Sequence, residues 1–469
     1  MNFKLVILWT DAMIFLLLAV AIAGAWWMKQ KPHLMLPWQR LFKSRVGMVS
    51  LLVLSLFVSV GLLDSLHYRA ALPQNGNGKA VYAAEVLSVF DALASELRSH
   101  TEKTYSAPLA VYLYAKESME TPDGKTLRDY PRLKYGGAHL ADPQQQHVSD
   151  VIKRILSGLF AGWLGGVLLA LLIVTFAASR RRMTARVWVA ARSGTPLNAM
   201  LGSLILIAML IGLTVNLAGA YHVLGTDKVG QDVMYLSLKS IRTGLVIGTV
   251  TTLVMLPFAL FLGIAAGYLR GWVDDVIQYI YTVLSSIPGV LLIAAAVLMM
   301  QVTIEKHAEW FSSSVERADL RLLFLCLILG VTSWTSLCRL LRGETLKLRE
   351  LEYIQAAQAF GVSSLRILTR HIVPNVMHIV LIAVVMDFSS LVLAEAVLSY
   401  VGVGVDPSTN SFGTLINNAR LEMGRDPVVW WTLAAAFSFM LVLVLAANLF
   451  ADAMRDAFDP RLNRTVDVK

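Results

Sequence analysis

Charge and cysteine are both scarce in this 469-residue chain. Only 16% of the residues are charged, 56% are hydrophobic, and the two cysteines, Cys326 and Cys338, fall in one apolar run. A soluble domain carries about 25% charged residues, so this composition argues against an ordinary water-soluble protein. Two cysteines within one apolar run also argue against a disulfide framework or a cysteine-rich metal site, and they predict buried, reduced thiols.

The chain also lacks the residues of an enzyme. The phosphate-binding pattern Gly-x-x-x-x-Gly-Lys-Ser/Thr does not occur in it, so the usual machinery for ATP hydrolysis is missing. It contains no nucleophile–base pair and no cluster with metal-ligand spacing. The sequence therefore predicts no catalytic residue, no metal site and no cofactor bound by this chain.

Long apolar runs dominate instead. Nine of them are long enough to cross about 30 Å of hydrocarbon, which predicts an all-α integral membrane protein with about nine transmembrane helices. The runs lie near residues 5–28, 46–63, 155–178, 199–220, 243–265, 277–300, 321–340, 376–398 and 429–450.

The distribution of Lys and Arg predicts the topology. The net charge is +9, and basic residues are concentrated in 29–45, 179–198, 341–375 and the C-terminal tail. With nine spans these four segments fall on one side of the membrane, which the positive-inside rule makes cytoplasmic. We therefore predict a multi-pass chain with its N-terminus outside and its C-terminus inside, and no nucleic-acid binding.

The first apolar run has two interpretations. Ala21, Ala23 and Ala25 offer the small residues of a signal-peptide cleavage site. Asp11 within the run and the Trp26–Trp27 pair at its end suit a retained span instead, because aromatic residues collect at membrane interfaces. We predict that the span is retained.

The chain divides into four predicted regions. These are two N-terminal helices over 1–63, a polar extracytoplasmic insertion over 64–154, an extra helix with a basic loop over 155–198, and the remaining spans over 199–469. The insertion has a helical pattern over 81–97 and a strand pattern over 109–114. It is therefore predicted to be a small α/β insertion.

The segment 351–375 predicts two short helices joined by a glycine. Gly361 suits a left-handed helix end, Ser363 or Ser364 can cap the second helix, and Pro374 should stop that helix and begin the next span. Two capped helices would form a rigid knob that suits a groove on a partner. An amphipathic loop lying on lipid headgroups fits the same pattern.

Side chains of the second short helix divide into two predicted faces. Leu365, Leu368 and Ile372 should line one face, and Arg366 and Arg370 should line another because they are four residues apart.

Three residues in or near the spans are candidates for a transport pathway. Asp387 lies inside a span, where an acid is either a pathway residue or a carboxylate paired within the helix bundle. Glu395, near the outer end of the same span, should face the loop that follows. Pro288 should kink the span predicted at 277–300.

Four motifs occur in a fixed order along the C-terminal two-thirds of the chain. The first is Gly225-Thr226-Asp227 with Gly230, Asp232 and Arg242, in which Asp227 and Asp232 should cap the segment that follows. The other three are Gly361 with the run His371, Ile372, Pro374 and Asn375; Ala394-Glu395-Ala396 with Gly402, Gly404, Pro407 and Gly413; and Asp452-Ala453-Met454-Arg455-Asp456 with Asp459-Pro460-Arg461. Together they resemble ABC importer permeases of the oligopeptide/dipeptide/nickel family, and the match covers roughly 199–465.

This resemblance implies a six-span, type I importer permease domain over 199–469 in a bacterial inner membrane. It implies four kinds of partner: a homologous permease chain, two cytoplasmic ABC ATPase subunits that bind the ATP, an extracytoplasmic substrate-binding protein, and the lipid bilayer. The implied substrates are peptides, with metal chelates second. The segment 351–375 corresponds to the family's EAA loop, which couples to the ATPase, and the residues implied are Glu352, Gln355, Ala356, Ala357, Gly361, Arg366, Arg370, His371 and Pro374.

The chain departs from the family pattern at four places. Gln355 stands where the loop's name-giving glutamate usually is, Gln231 replaces an Arg, Phe412 a Trp and Ala451 a Gly. The first departure puts one polar contact with the ATPase in doubt, and none removes the helix–glycine–helix geometry.

Two other classes of protein are compatible with the sequence. One is an ion-driven secondary transporter with Asp387 as the coupling acid. The other is a membrane scaffold whose insertion binds an envelope protein. A secondary transporter would need no ATPase partner, so copurification of an ATPase would distinguish it from an importer. A scaffold would show no substrate-dependent uptake phenotype.

Overall fold

A computed structural model describes residues 3–30, 32–72, 82–120, 126–180, 196–311 and 313–458. The helices are α1 Trp9–Lys29, α2 Pro32–Leu41, α3 Arg45–Asp64, α4 Val89–Leu93, α5 Ser95–Ser99, α6 Pro143–Ser179, α7 Leu197–Ala218, α8 Val233–Leu269, α9 Trp272–Ser286, α10 Gly289–Lys306, α11 Ser314–Ser333, α12 Thr335–Arg349, α13 Glu352–Ala359, α14 Ser364–Ile367, α15 Val373–Tyr400, α16 Phe412–Glu422 and α17 Trp431–Phe458. The strands are β1 Phe3–Val6, β2 His67–Ala70, β3 Leu87–Ser88, β4 Glu117–Glu120 and β5 Thr126–Asp129.

The predicted number of membrane spans is confirmed, and all but one lie where the apolar runs place them. Within the described ranges, nine helical segments are long and apolar enough to cross a membrane. Several of these helices extend well past the predicted apolar run. Helices α6 and α8, for example, are each 37 residues long.

The span predicted at 277–300 is wrong in one respect. Pro288 was expected to kink one continuous helix, but α9 ends at Ser286 and α10 begins at Gly289. Ile287 and Pro288 are both extended, with ψ values of 131° and 115°. The residue before a proline is sterically pushed out of the helical region, so the chain breaks here rather than bending. The candidate membrane span is therefore α10.

The chain forms two compact units. The first contains residues 1–6, 36–242 and 410–449, and the second contains 7–35, 243–409 and 450–469.

In the first unit, α6 and α7 pack as a close pair. Gly158, Gly162 and Gly166 recur every fourth residue along α6, so they share one helix face. A Cβ on Gly162 would lie 2.4 Å from the carbonyl oxygen of Ala208 in α7. Glycine is therefore required for this approach, as is common between membrane helices.

The insertion also belongs to the first unit, and its described residues contain little regular structure. β2 pairs antiparallel with β1 on one side and β3 on the other, and β4 pairs with β5. The helix predicted over 81–97 is reduced to the two single turns α4 and α5 in its described part. The strand predicted over 109–114 is wrong: this stretch contains turns and one isolated bridge, Tyr112 to Arg132.

The second unit is built around α8, α11, α12 and α15. Two glycines of α8 allow α12 to approach: a Cβ on Gly263 would lie 2.8 Å from the Cys338 carbonyl oxygen, and one on Gly267 would lie 2.6 Å from Thr345 Cβ. Both cysteines are buried free thiols, as predicted.

The N-terminal helix α1 packs against α11 through a buried polar contact. The Thr10 backbone N–H donates to Asp319 at 3.1 Å, and the Thr10 hydroxyl donates to the other oxygen of the same carboxylate. A buried carboxylate must be hydrogen-bonded to be tolerated in an apolar bundle, so this contact fixes where α1 docks.

Candidate functional site

The 351–375 loop has the predicted helix–glycine–helix form. α13 ends near Phe360, Gly361 adopts a φ of +74°, and Ser363 begins α14. The Gly361 N–H donates to the Gln358 carbonyl and the Val362 N–H donates to the Ala357 carbonyl, which closes the helix end. Only glycine adopts this left-handed backbone without steric cost.

The second half of the loop differs from the prediction. Pro374 does not stop the helix: α14 continues through a π-helical turn, Leu368–Ile372, directly into α15. Proline has no N–H to donate, and a widened turn before it is one way a helix accommodates that loss. Ser363 occupies the cap position, but its side chain accepts no capping hydrogen bond.

Three isoleucines anchor the loop on the helix bundle. Ile354, Ile367 and Ile372 are fully buried and join the same apolar cluster as Leu341 of α12 and Val376 of α15. The face predicted from Leu365 and Leu368 is therefore wrong at Leu365, which points to solvent, and Ile367 takes its place. The irregular turns around Gly361 and the π-turn rotate the side chains away from a simple helical period.

Polar contacts fix the base of the loop to the end of α8. The Arg349 guanidinium donates to the Tyr268 carbonyl at 2.6 Å, and Glu350 forms an ion pair with Arg270. Gln355 and Gln358 make only long contacts of 3.4 Å, to Glu350 and to the Tyr268 hydroxyl. Gln355 therefore already has a neighbour within its own chain.

A charged contact behind the loop was missed from sequence. Arg342 of α12 donates two hydrogen bonds to Asp274, at 2.5 and 2.7 Å. The guanidinium holds the pKa of the Asp274 carboxyl below its usual range. The Asp274–Asp275 pair at the start of α9 was the available signal, because acids are favoured in the first helical turn.

The outward side of the loop presents an exposed set of apolar, polar and charged side chains. Phe360 is 87% exposed and Leu365 is 72% exposed. Other exposed members are Glu352, Tyr353, Gln355, Ala356, Arg366, Arg370 and Pro374; Ala357 and His371 are half-buried. The structure thus brings the predicted loop residues together on one exposed element.

A second motif region, the Gly-Thr-Asp segment (residues 219–232), lies against the insertion. The Thr226 N–H donates to the Ser106 carbonyl at 3.0 Å, and the Glu102 N–H donates to the Gly230 carbonyl at 2.9 Å. Trp431 donates its indole N–H to the Thr226 carbonyl at 3.0 Å. The insertion and this segment therefore share one hydrogen-bonded core.

A buried histidine links two carboxylates at this contact. His222 Nδ1 lies 2.8 Å from Asp232 Oδ2, and His222 Nε2 lies 3.5 Å from Glu102 Oε1, an ion-pair distance rather than a short hydrogen bond. Burial disfavours the charged imidazole, but the two acids prevail and raise the pKa of His222 to about 9. The carboxyl of Glu102, which also accepts three backbone N–H bonds, has its pKa lowered to about 2 despite its burial.

The prediction that Asp232 caps the following helix is confirmed. Its Oδ1 accepts from the Met234 and Tyr235 N–H groups at the start of α8. Asp227 instead accepts from Val229 and Gln231 within the turn. Both acids therefore have structural partners.

The candidate pathway residues do not form one cluster. Glu395 is buried in α15 and accepts a hydrogen bond from Ser399 at 2.6 Å. Asp387, on the same helix, lines a cavity of about 470 Å³ in the second unit. Pro288 lies at the α9–α10 break and does not line that cavity.

Comparisons with known proteins point to one family. The profile of the binding-protein-dependent transport system inner membrane component matches residues 259–464. The oligopeptide transport system permease protein OppC of Mycobacterium tuberculosis is 32% identical over 242 residues, which cover 52% of this chain and 77% of that protein. OppC of Escherichia coli is 31% identical over 240 residues (51% and 72%), and the glutathione transport system permease protein GsiD of Pectobacterium atrosepticum is 32% identical over 243 residues (51% and 73%).

Proposed function

The chain belongs to the family of binding-protein-dependent inner-membrane permeases, and from that premise we propose that it is one permease subunit of an ATP-driven peptide importer. Two separate ABC ATPase subunits bind and hydrolyse the ATP, a homologous permease chain completes the pathway, and an extracytoplasmic binding protein delivers the substrate. The peptide class is supported by the relatives, which are oligopeptide and glutathione permeases. This chain contributes helices and a coupling surface rather than a catalytic group.

The exposed apolar surface of the 351–375 loop carries the proposal. Phe360 and Leu365 are largely exposed while three isoleucines on the same element are fully buried. Exposed apolar patches on an otherwise anchored element mark sites that a partner covers. A loop held this rigidly loses little conformational entropy when it docks, which favours a protein groove as its partner.

The loop is also suited to transmit movement. From Ser364 the chain continues through α14 and the π-turn into α15 without leaving a helical conformation. A displacement of the docked loop would therefore act directly on the span that carries Asp387 and Glu395.

Strand pairing supports the proposed topology. β1, at the N-terminus, pairs with β2, at the start of the insertion, in the register Phe3 to Ala70 through Val6 to His67. Two paired strands lie on the same side of a membrane. With the basic segments cytoplasmic, the N-terminus and the insertion are extracytoplasmic and the 351–375 loop faces the ATPases.

The test is ATPase association and substrate-stimulated ATP hydrolysis by the assembled complex. Ala356→Glu and Ala357→Glu place a charge in the docking contact, where burial without a partner is unfavourable. Gly361→Val forces a β-branched residue to a φ of +74°. We expect each variant to reach the membrane at normal levels. Its rate of substrate-stimulated ATP hydrolysis should be at least about tenfold lower than that of the wild type.

Ala141→Glu is the matched control, because Ala141 is also exposed but lies in the insertion. It should keep normal association and hydrolysis. If all three loop variants retained full stimulated hydrolysis and uptake, the loop would not be the coupling element, and the proposal would lose its main physical support.

A further inference from the structure

The cavity beside Asp387 contains two opposite charges that do not pair with each other. Asp387 of α15 and Arg455 of α17 both line it, and the rest of the lining is mainly apolar, including Leu337, Ile379 and Met386. Among the described residues, neither charged side chain has a hydrogen bond or an ion pair. The cavity therefore has a negative and a positive group, both without a counter-charge.

Asp387 is placed where such a charge is costly. It follows Val373 by fourteen residues, which is about 21 Å along a helix of 28 residues. An acid at this depth is normally paired or belongs to a transport pathway. Nothing among the described residues pairs with it, so the cavity leaves its carboxylate available to a ligand.

Arg455 supplies the complementary charge. It lies three residues before Phe458, the last described residue of α17, and its flexible stem lets the guanidinium reach along an apolar wall. A guanidinium is suited to a planar carboxylate, which it can bind through two parallel hydrogen bonds.

Resting on the proposed function, we propose that this cavity is a cargo site that binds a short zwitterionic peptide, whose α-ammonium contacts Asp387 and whose α-carboxylate contacts Arg455. The volume of about 470 Å³ lies within the range of small-ligand sites, about 300–1,000 Å³. The apolar lining contacts side chains of any sequence, so the charged termini rather than the residues between them are selected.

The experiment uses the assembled importer in proteoliposomes with its binding protein. The probes are radiolabelled trialanine, N-acetyl-trialanine and trialanine amide. Asp387→Asn should lower the maximal rate of trialanine uptake about tenfold to a hundredfold, the range expected for one charge-assisted hydrogen bond, and Asp387→Glu should restore most of it. Ser390→Ala, on an exposed position of the same helix, is the control and should transport normally.

The decisive result is a crossed pattern of peptide preference. Asp387→Asn should remove the preference for trialanine over its N-acetyl derivative but keep the preference over the amide, and Arg455→Gln should do the reverse. A purely structural role would depress all three peptides equally. A photo-reactive p-benzoylphenylalanine at Met386 should cross-link labelled trialanine during turnover.

Three results would overturn the inference. These are equal rates for Asp387→Asn and wild type, an equal loss for all three peptides, or cross-linking at Met386 to the partner permease in place of the peptide. Each can be seen while the wild-type complex still binds its ATPase and imports peptide, so the proposed function is tested separately.

Discussion

The Gly-Thr-Asp segment and the 351–375 loop both contain motifs noted in the sequence, yet they are built in opposite ways. In the segment, Gly225 and Gly230 are pressed against the insertion, and His222 lies between two acids. In the loop, Gly361 has the same positive φ, but a Cβ there would meet nothing within 4 Å. Phe360 and Leu365 beside it face solvent.

This difference separates a structural motif from the docking motif that we propose. The segment satisfies its polar groups inside the chain, so its sequence is needed for the fold. The loop keeps its backbone geometry although no other atom lies close to Gly361, so the surface beside this glycine is open to a partner. The four predictions below test that distinction on one scale, the thermal stability of the purified chain.

The largest effect is expected from Gly230→Ala. A Cβ would lie 1.9 Å from the carbonyl oxygen of Glu102, a backbone atom that no side-chain rotation can relieve. Together with the left-handed backbone, this should cost about 5 kcal/mol. Gly361→Ala has the same backbone penalty without the clash and should cost only about 1 kcal/mol. Equal shifts in melting temperature for the two variants would refute the comparison.

His222→Gln should destabilise the chain by about 3 kcal/mol, because it leaves Glu102 and Asp232 as buried acids without their cation. The wild type should also depend on pH. Since the folded pKa of His222 is raised from 6.5 to about 9, its contribution is complete below pH 6.5 and is lost as the pH rises towards 9. Melting temperatures between pH 6 and 9.5 should fall in the wild type. If the His222→Gln variant showed the same fall in melting temperature with pH, His222 would not be the cause of that fall.

Trp431→Phe should cost about 1 kcal/mol, the usual value of one hydrogen bond. It removes the indole donor to the Thr226 carbonyl but keeps most of the edge-on contact with Tyr114, whose ring centroid is 4.8 Å away. A loss above about 3 kcal/mol would mean that ring packing, rather than the hydrogen bond, holds the segment.

The smallest effect on stability is expected from Phe360→Ser. A residue this exposed should change the free energy of unfolding by less than about 0.5 kcal/mol. The same variant should nevertheless weaken ATPase association in a pull-down from mixed subunits. If it lowered the melting temperature as much as Trp431→Phe, Phe360 would be part of the fold, and the contrast between the two regions would fail.

Sequence reasoning succeeded where local composition decides the structure. Apolar runs predicted the number of spans because hydrocarbon thickness demands about twenty apolar residues wherever a helix crosses. The positive φ of Gly361 and the capping role of Asp232 followed equally from residue type and position.

Sequence reasoning failed where contacts between residues far apart in the chain decide the structure. Thr226 and Ser106 are 120 positions apart and Thr10 and Asp319 are 309 apart, and no pattern within a window of residues predicts either pair. The insertion lies outside the family resemblance, which begins near residue 199. Its shared core with the Gly-Thr-Asp segment shows that a region absent from the resemblance can still be part of the packing.

The pairing of β1 with β2 has a consequence for biosynthesis. β1 is synthesised before its partner strand β2, which follows only after α1 and α3 have been made. Until then the short strand has no hydrogen-bonding neighbour, and the first helix is held only by its apolar surface. Removal of the N-terminus at Ala21–Ala25 would take away the edge strand of the sheet, so a protease that acted early would leave the insertion with an unprotected edge throughout the lifetime of the protein.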